Sequence, residues 1–250
     1  MKKISVLVLS LLVISTGAWA ADFVNGGFEN GNLTGWTGGG GYWSDPSTYP
    51  APVSPSQYVG GTPNNTIMSG GTDPITGANT VYSGSYSVRV NDSYNNYSVS
   101  TISQSVNNYT NNNIYFAWNA VLQSSHGLTD SDYFSLTLRD NTKGINIVSR
   151  AYSSAGSIGS GTSGVTWSPY SDWFSSGWVV ENIDLLALGA VGDDFTLTLL
   201  ASDCPYGGHA GYTYLDGFGA VTPPVGTPEP TTMLLLGLGL VGIAGFRKRS

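Results

Sequence analysis

Few residues in this 250-residue chain have side chains suited to covalent or acid–base chemistry. Its single cysteine and one of its two histidines share the stretch Asp203-Cys204-Pro205-Tyr206-Gly207-Gly208-His209-Ala210-Gly211-Tyr212. A thiol beside an imidazole is a nucleophile–base pair, and Asp203 is near enough in sequence to orient the ring. No second base or oxyanion donor can be picked out, and Gly207-Gly208 suits a tight structural loop. The other histidine, in Ser124-Ser125-His126-Gly127, falls in an expected hairpin loop. A Zn²⁺ site takes three or four Cys, His or carboxylate ligands, and spacing alone does not assemble them. The carboxylate pairs Asp130/Asp132 and Asp193/Asp194 sit in expected turns, where Asp caps or bends the chain. A glycosidase instead needs two carboxyl groups facing each other across a cleft. No Gly-rich loop leads from a strand into a helix, so nucleotide binding has no support. The expectation is a protein that is not an enzyme.

Two long segments rich in small residues carry large aromatics. Thr37 to Ser83 is rich in Gly, Pro and Asn and holds Tyr42, Trp43, Tyr49 and Tyr58; Ser153 to Ser176 is rich in Ser and Gly and holds Trp167, Tyr170, Trp173 and Phe174. Disordered segments are poor in aromatics, so both are expected to be partly ordered. The rings either pin the loops to the domain or form a platform for the apolar C–H faces of sugars. Trp43, Trp167 and Trp173 are the candidate ligand contacts.

Between and beyond these loops the dominant period is two. Phe23–Phe28, Ser85–Val90, Tyr97–Val106, Asn113–Leu122, Tyr133–Arg139, Gly144–Tyr152, Gly177–Leu185, Phe195–Ala201 and Tyr212–Val221 all read as strands. Each combines β-branched or aromatic residues with alternation and is bounded by turn formers, giving about nine strands. Leu185–Val191 starts like a helix, but Gly189 cuts it short. Evenly spaced strands without helices predict an all-β, antiparallel β-sandwich of jelly-roll type with long Gly/Ser/Pro-rich loops.

The two ends have a different composition. Lys2 and Lys3, the apolar run Ile4–Ile14 and Ala18-Trp19-Ala20 form a secretory signal peptide over residues 1–20, to be cut by signal peptidase between Ala20 and Ala21. Residues 21–222 are then one exported domain. In residues 223–250, prolines 223, 224, 228 and 230 precede an uncharged apolar helix over 233–246 and a basic stop, Arg247-Lys248-Arg249. Fourteen residues of helix span roughly 21 Å, against a hydrocarbon core of about 30 Å. This transmembrane helix suits transient anchoring in the inner membrane, with the basic terminus in the cytoplasm. All sixteen acidic residues lie between the signal peptide and this helix, with only four basic ones, for a net charge of −12. That charge excludes nucleic acid and anionic lipid head groups as partners. With one cysteine, no intrachain disulfide can form.

Three motifs carry resemblances. The ordered tail, with Pro228-Glu229-Pro230 ahead of an apolar helix and a basic stop, resembles the PEP-CTERM sorting signal of Gram-negative envelope proteins. That resemblance implies an exosortase-type membrane protease as partner, then release or attachment at the outer surface or in the extracellular matrix. Asn25-Gly26-Gly27-Phe28-Glu29 with Gly35-Trp36 resembles the opening strand of galactose-binding-like and carbohydrate-binding jelly rolls. Tyr214-Leu215-Asp216-Gly217-Phe218 resembles their closing strand. In those families the two strands share a structural Ca²⁺, which implies Glu29 and Asp216 as ligands here, completed by carbonyls near Ser83–Ser85. The run from Cys204 to Tyr212 resembles a Cys-x-x-Gly-Gly-His-x-Gly-Tyr pattern of one family of PEP-CTERM proteins, and implies no particular function. Together these features predict an exported cell-surface or matrix protein that binds or is embedded in exopolysaccharide. The alternatives are a structural surface protein without a ligand and, behind it, a polysaccharide-active hydrolase.

Overall fold

The computed structural model describes residues 22–43, 55–58, 60–127, 131–154 and 165–219. The signal peptide, its cleavage site and the whole sorting tail lie outside these residues. Among the described residues twelve strands are formed: β1 (Thr37–Tyr42), β2 (Asn65–Ser69), β3 (Tyr86–Val90), β4 (Ser98–Val106), β5 (Asn113–Gln123), β6 (Tyr133–Asp140), β7 (Ile145–Ser153), β8 (Ser168–Tyr170), β9 (Trp173–Ser175), β10 (Val179–Asp184), β11 (Phe195–Ser202) and β12 (Gly211–Gly219). They make two antiparallel sheets. One runs β1-β4-β11-β6-β7; the other runs β2-β3-β12-β5-β9-β8, with β10 also paired to β5. Among the described residues no helix is long and apolar enough to cross a membrane.

Alternation decides which side chains meet between the sheets. On β11, Phe195, Leu197, Leu199 and Ala201 face inward; on β6, Phe134, Leu136 and Leu138 do so. Trp118 of β5 is fully buried, stacked on Phe134 with ring centroids 4.8 Å apart. Burying a large aromatic side chain contributes about 1.5–3 kcal/mol, so this inner layer dominates the stability. Arg150 of β7 and Glu181 of β10 join the two sheets through paired 2.8 Å contacts, and Trp118 Nε1 donates to Glu181 Oε1 at 3.2 Å. Smaller apolar clusters cover the outer faces. Trp43, Tyr58, Val99, Tyr133 and Leu200 cover one sheet, and Val121, Trp173, Ala210, Tyr212 and Tyr214 the other. The second is fixed by Asp73, whose Oδ2 accepts from the hydroxyls of Tyr212 and Tyr214, each at 2.7 Å.

Eight of the nine predicted strands are present; the ninth is corrected. Phe23–Phe28 is a run of turns, with Asn25 and Phe28 at φ of 52° and 59°. Four strands lie inside the segments read as loops: β1, β2, β8 and β9. β1, Thr-Gly-Gly-Gly-Gly-Tyr, is the least expected, because glycine disfavours strands. Its composition follows from close approach. Gly40 N donates to Gly60 O at 2.9 Å, and a Cβ on Gly39 would lie 2.2 Å from Tyr58 O.

Candidate functional site

Two ends of the sandwich concentrate polar and aromatic groups. At the first, the Asn25–Glu29 turn packs against β12. The turn is built on Asn25, whose backbone oxygen accepts from Phe28 N at 3.0 Å and Trp36 Nε1 at 3.1 Å. Its Oδ1 accepts from Asn30 N at 3.0 Å. Phe23 lies on Phe218 with centroids 3.7 Å apart, and Phe218 N donates to Gly26 O at 3.1 Å. A side chain at position 26 has no room, since its Cβ would fall 1.6 Å from Phe218 O. A bulge in β12 between Asp216 and Gly219 lets Phe218 join the inner core.

This docking places Glu29 and Asp216 on either side of Gly27. A Cβ there would lie 3.8 Å from both Asp216 Oδ1 and Glu29 Cγ. The loop before β3 serves both carboxylates. Asp216 Oδ2 accepts from the amides of Tyr82 and Ser83 at 2.9 Å each. Glu29 accepts from Ser85 N at 3.1 Å and Tyr86 N at 3.2 Å. The 83–85 segment was expected to offer carbonyls; what meets the carboxylates is its N–H groups. Glu29 is exposed and Asp216 fully buried. Burial, with the neighbouring Glu29 charge, pushes the Asp216 carboxyl up to about 7. Its Oδ1 is buried without a hydrogen-bond partner among the described residues. An acceptor-only oxygen in that position, beside a second carboxylate, fits a hard divalent cation. Asp216 and Glu29 are the residues that would hold it.

At the other end of β12 a cleft of about 230 Å³ is lined by Tyr42, Thr62, Pro63, Asn64 and Asn96, among others. Tyr42 is 66% exposed, Tyr94 73%, Tyr97 44% and Tyr206 55%. Trp43 N donates to Tyr97 O at 2.9 Å, holding the end of β1 to the loop before β4. Tyr97 also lies over Gly207, where a Cβ would be 2.7 Å from the tyrosine hydroxyl. Tyr97 has φ of 68°, an uncommon backbone state for a bulky residue. Asp203 holds it there: its Oδ2 accepts from Asn96 N at 3.0 Å and Ser98 N at 2.9 Å, one on each side of Tyr97. Asp203 Oδ1 accepts from Asn91 Nδ2 at 3.0 Å. Burial pushes the Asp203 carboxyl up to about 7 against these hydrogen bonds.

The tryptophans expected at a ligand platform are placed differently. Trp43 is 7% exposed and donates Nε1 to Asp203 O at 2.9 Å; Trp173 is 8% exposed, beside Tyr212. Both have their faces in the outer clusters, which corrects the expectation for them. Trp167 is half-buried, its ring edge-on to Tyr152 at 5.4 Å. Sequence reading named Tyr42 among the loop aromatics without choosing it as a contact, and passed over Tyr94, Tyr97 and Tyr206; the four share no period. Their one shared signal is position: each stands at a strand end or in a Gly/Asn-rich loop. Of the paired carboxylates, Asp130 lies outside the described residues and the other three have partners within the fold. Asp132 accepts from Gln123 N at 2.7 Å, Asp193 pairs with Lys143, and Asp194 accepts from Asn108 N at 2.7 Å.

Beyond Gly219 the chain continues into its charged and apolar tail. Residues 227–249 match the PEP-CTERM protein-sorting motif. The motif marks an exported protein sorted at the membrane and implies processing by an exosortase. The match contains Pro228, Glu229 and Pro230, which lie outside the described residues. No curated protein sequence matches the chain. Among solved structures it is similar to TmCBM61 in complex with β-1,4-galactotriose, at 12% identity and a TM-score of 0.39, covering 80% of this chain and 97% of that one. It is also similar to CBM28, a carbohydrate-binding module specific for non-crystalline cellulose, at 11% identity and a TM-score of 0.40, covering 80% and 94%. A third is CBM27-1 of Caldicellulosiruptor saccharolyticus in complex with mannohexaose, at 9% identity and a TM-score of 0.38, covering 82% and 97%.

Proposed function

We propose that the exported domain is a non-enzymatic polysaccharide-binding protein of the outer surface or extracellular matrix, and that the tyrosine-rimmed cleft is its ligand face. The observation that carries this reading is the set of exposed rings Tyr42, Tyr94, Tyr97 and Tyr206 at one end of the sandwich. An amphipathic ring is costly to leave in water and useful where one partner is apolar on its face and polar at its edge. Sugar rings have that character. Thr62, Asn64 and Asn96 line the cleft beside Tyr42. The net charge of −12 between signal peptide and tail helix favours a neutral polymer over an acidic one.

Retention of the protein on immobilised neutral glucans, galactans and mannans tests the reading. A single site should bind with millimolar to micromolar affinity, about 4 to 8 kcal/mol. Tyr42→Ala should weaken retention on the preferred polymer at least tenfold, while Trp43→Phe and Trp173→Phe act through stability. Absence of retention across the panel would leave a structural surface protein without a ligand.

The carboxylate pair Glu29/Asp216 is proposed as a structural Ca²⁺ site tying the opening turn to β12. Calcium accepts six to eight oxygen ligands in flexible geometry, so water can complete the shell around two carboxylates.

A further inference from the structure

The register of β5 on β12 brings His126 to Cys204 and His209, far from it in the sequence. Gln123 ends β5; its amide donates to Ala210 O at 3.1 Å, and its Oε1 accepts from Ala210 N at 3.0 Å. This double contact clamps the start of the 124–127 loop to the 204–210 loop. The latter is closed on itself: Cys204 N donates to His209 O and Gly207 N to Cys204 O, each at 3.0 Å. Gly207 and Gly208, at φ of 84° and 89°, make the reversal. Cys204 and His209 therefore stand at the two ends of one tight loop, and His126 arrives from the neighbouring one. The His126 and His209 rings are 4.5 Å apart, edge to face. A ligand atom from each of His126, Cys204 and His209 lies within 4.8 Å of the other two.

We propose that Cys204, His126 and His209 form a zinc-type site, open to solvent on the His126 side. The donor set is one thiolate and two imidazoles, the combination that selects borderline and soft metals rather than Ca²⁺. Bond lengths of 2.3 Å to sulfur and 2.0–2.1 Å to nitrogen place tetrahedral ligand atoms about 3.3–3.6 Å apart. Side-chain rotation at the exposed His126 would close the remaining gap. Cys204 is fully buried, so its sulfur would sit on the side of the site that solvent does not reach. Three protein ligands leave a fourth position for water. Metal binding here staples the end of β5 to the loop that precedes β12.

The test uses the full-length protein with Zn²⁺ and with Co²⁺ as a spectroscopic probe. One equivalent of Zn²⁺ should bind, and Co²⁺ should give a near-ultraviolet thiolate charge-transfer band. Cys204→Ser should remove that band. His126→Ala, at an exposed loop position, should keep the native melting profile in EDTA yet weaken Zn²⁺ at least tenfold. Asp216→Asn should leave Zn²⁺ affinity unchanged. Absence of the thiolate band, or His126→Ala binding Zn²⁺ as tightly as wild type, would overturn the proposal.

Discussion

Asp203 and Asp216 stand at opposite ends of the sandwich with the same electrostatic problem and different solutions. Both are fully buried, both accept backbone amides, and burial pushes both carboxyls up to about 7. Around Asp203 both oxygens are engaged, by Asn91 Nδ2 on one side and by Asn96 N, Ser98 N and Ser98 Oγ on the other. Around Asp216 one oxygen takes two amides; the other takes no hydrogen bond among the described residues and lies near Glu29. A closed shell of donors makes a clamp, which here sets the backbone of Tyr97. An open oxygen beside a second carboxylate makes a place for a cation. Burial and residue type are the same; the donor count separates a structural carboxylate from a ligand.

The sharpest way to break this contrast is to remove the clamp. Asp203→Ala strands the amides of Asn96 and Ser98 and the Asn91 side chain, at about 1–3 kcal/mol for each buried group left unsatisfied. The melting temperature should fall by roughly 6 to 12 °C, scaling about 3 kcal/mol by the shift expected for a domain of this size. An unchanged melt for Asp203→Ala would remove the distinction between the two sites.

Calcium comes next in size. A ligand that binds only the native state adds about 2.7 kcal/mol at a hundredfold excess over Kd. Chelation should therefore lower the melt by roughly 5 to 10 °C, and added Ca²⁺ should restore it. Asp216→Asn or Glu29→Gln should abolish most of that difference, whereas Asp193→Asn should not. The pH dependence has a definite sign. The folded Asp216 carboxyl, at about 7, lies above its ordinary 3.8. Without metal its contribution to stability thus falls as pH rises from near 4 to 7, because the folded state binds the extra proton there. Calcium competes with that proton, so its stabilising effect should be larger at pH 8 than at pH 5. Equal melting shifts at both pH values would argue against Asp216 as a ligand.

The smallest expected effect on stability is at Tyr97. Glycine adopts φ of 68° without steric cost, so Tyr97→Gly should change stability by only about 1 kcal/mol. Its polysaccharide retention should nevertheless drop. Retention unaltered by this substitution would take Tyr97 out of the ligand face and leave the clamp a purely structural device.

Much of the fold was legible because alternation is a local signal. Ser98–Val106 and Phe195–Ser202 show their inward and outward faces in the sequence itself. β1 was not legible, since four glycines carry no alternation and their reason is the close packing of Tyr58 and of residues 60–63 on top. β8 and β9, at three residues each, are too short to show a period. Phe23–Phe28 looked like a strand because its aromatic ends mimic one, while the reversal depends on left-handed Asn25 and Phe28. At the site, the meeting of Glu29 and Asp216 was readable from paired motifs at the two ends of the domain. The tryptophans misled for a physical reason: large rings gain most from burial, so Trp43 and Trp173 are covered in the outer clusters while Tyr42, Tyr94, Tyr97 and Tyr206 stay exposed. His126 meeting Cys204 depends wholly on how β5 registers against β12, which no local pattern encodes.

The place of β12 also has a mechanical consequence. The strand ends at Gly219, three residues before the tail in sequence, and it lies between β3 and β5, hydrogen-bonded on both sides. Its other end adjoins the tyrosine cleft, roughly 26 Å away at the usual rise per residue. A polymer held at the cleft and a tether at the tail would pull along the strand axis. The load then falls on two ladders in shear, where many hydrogen bonds must break together, rather than on an edge strand that can be peeled one bond at a time.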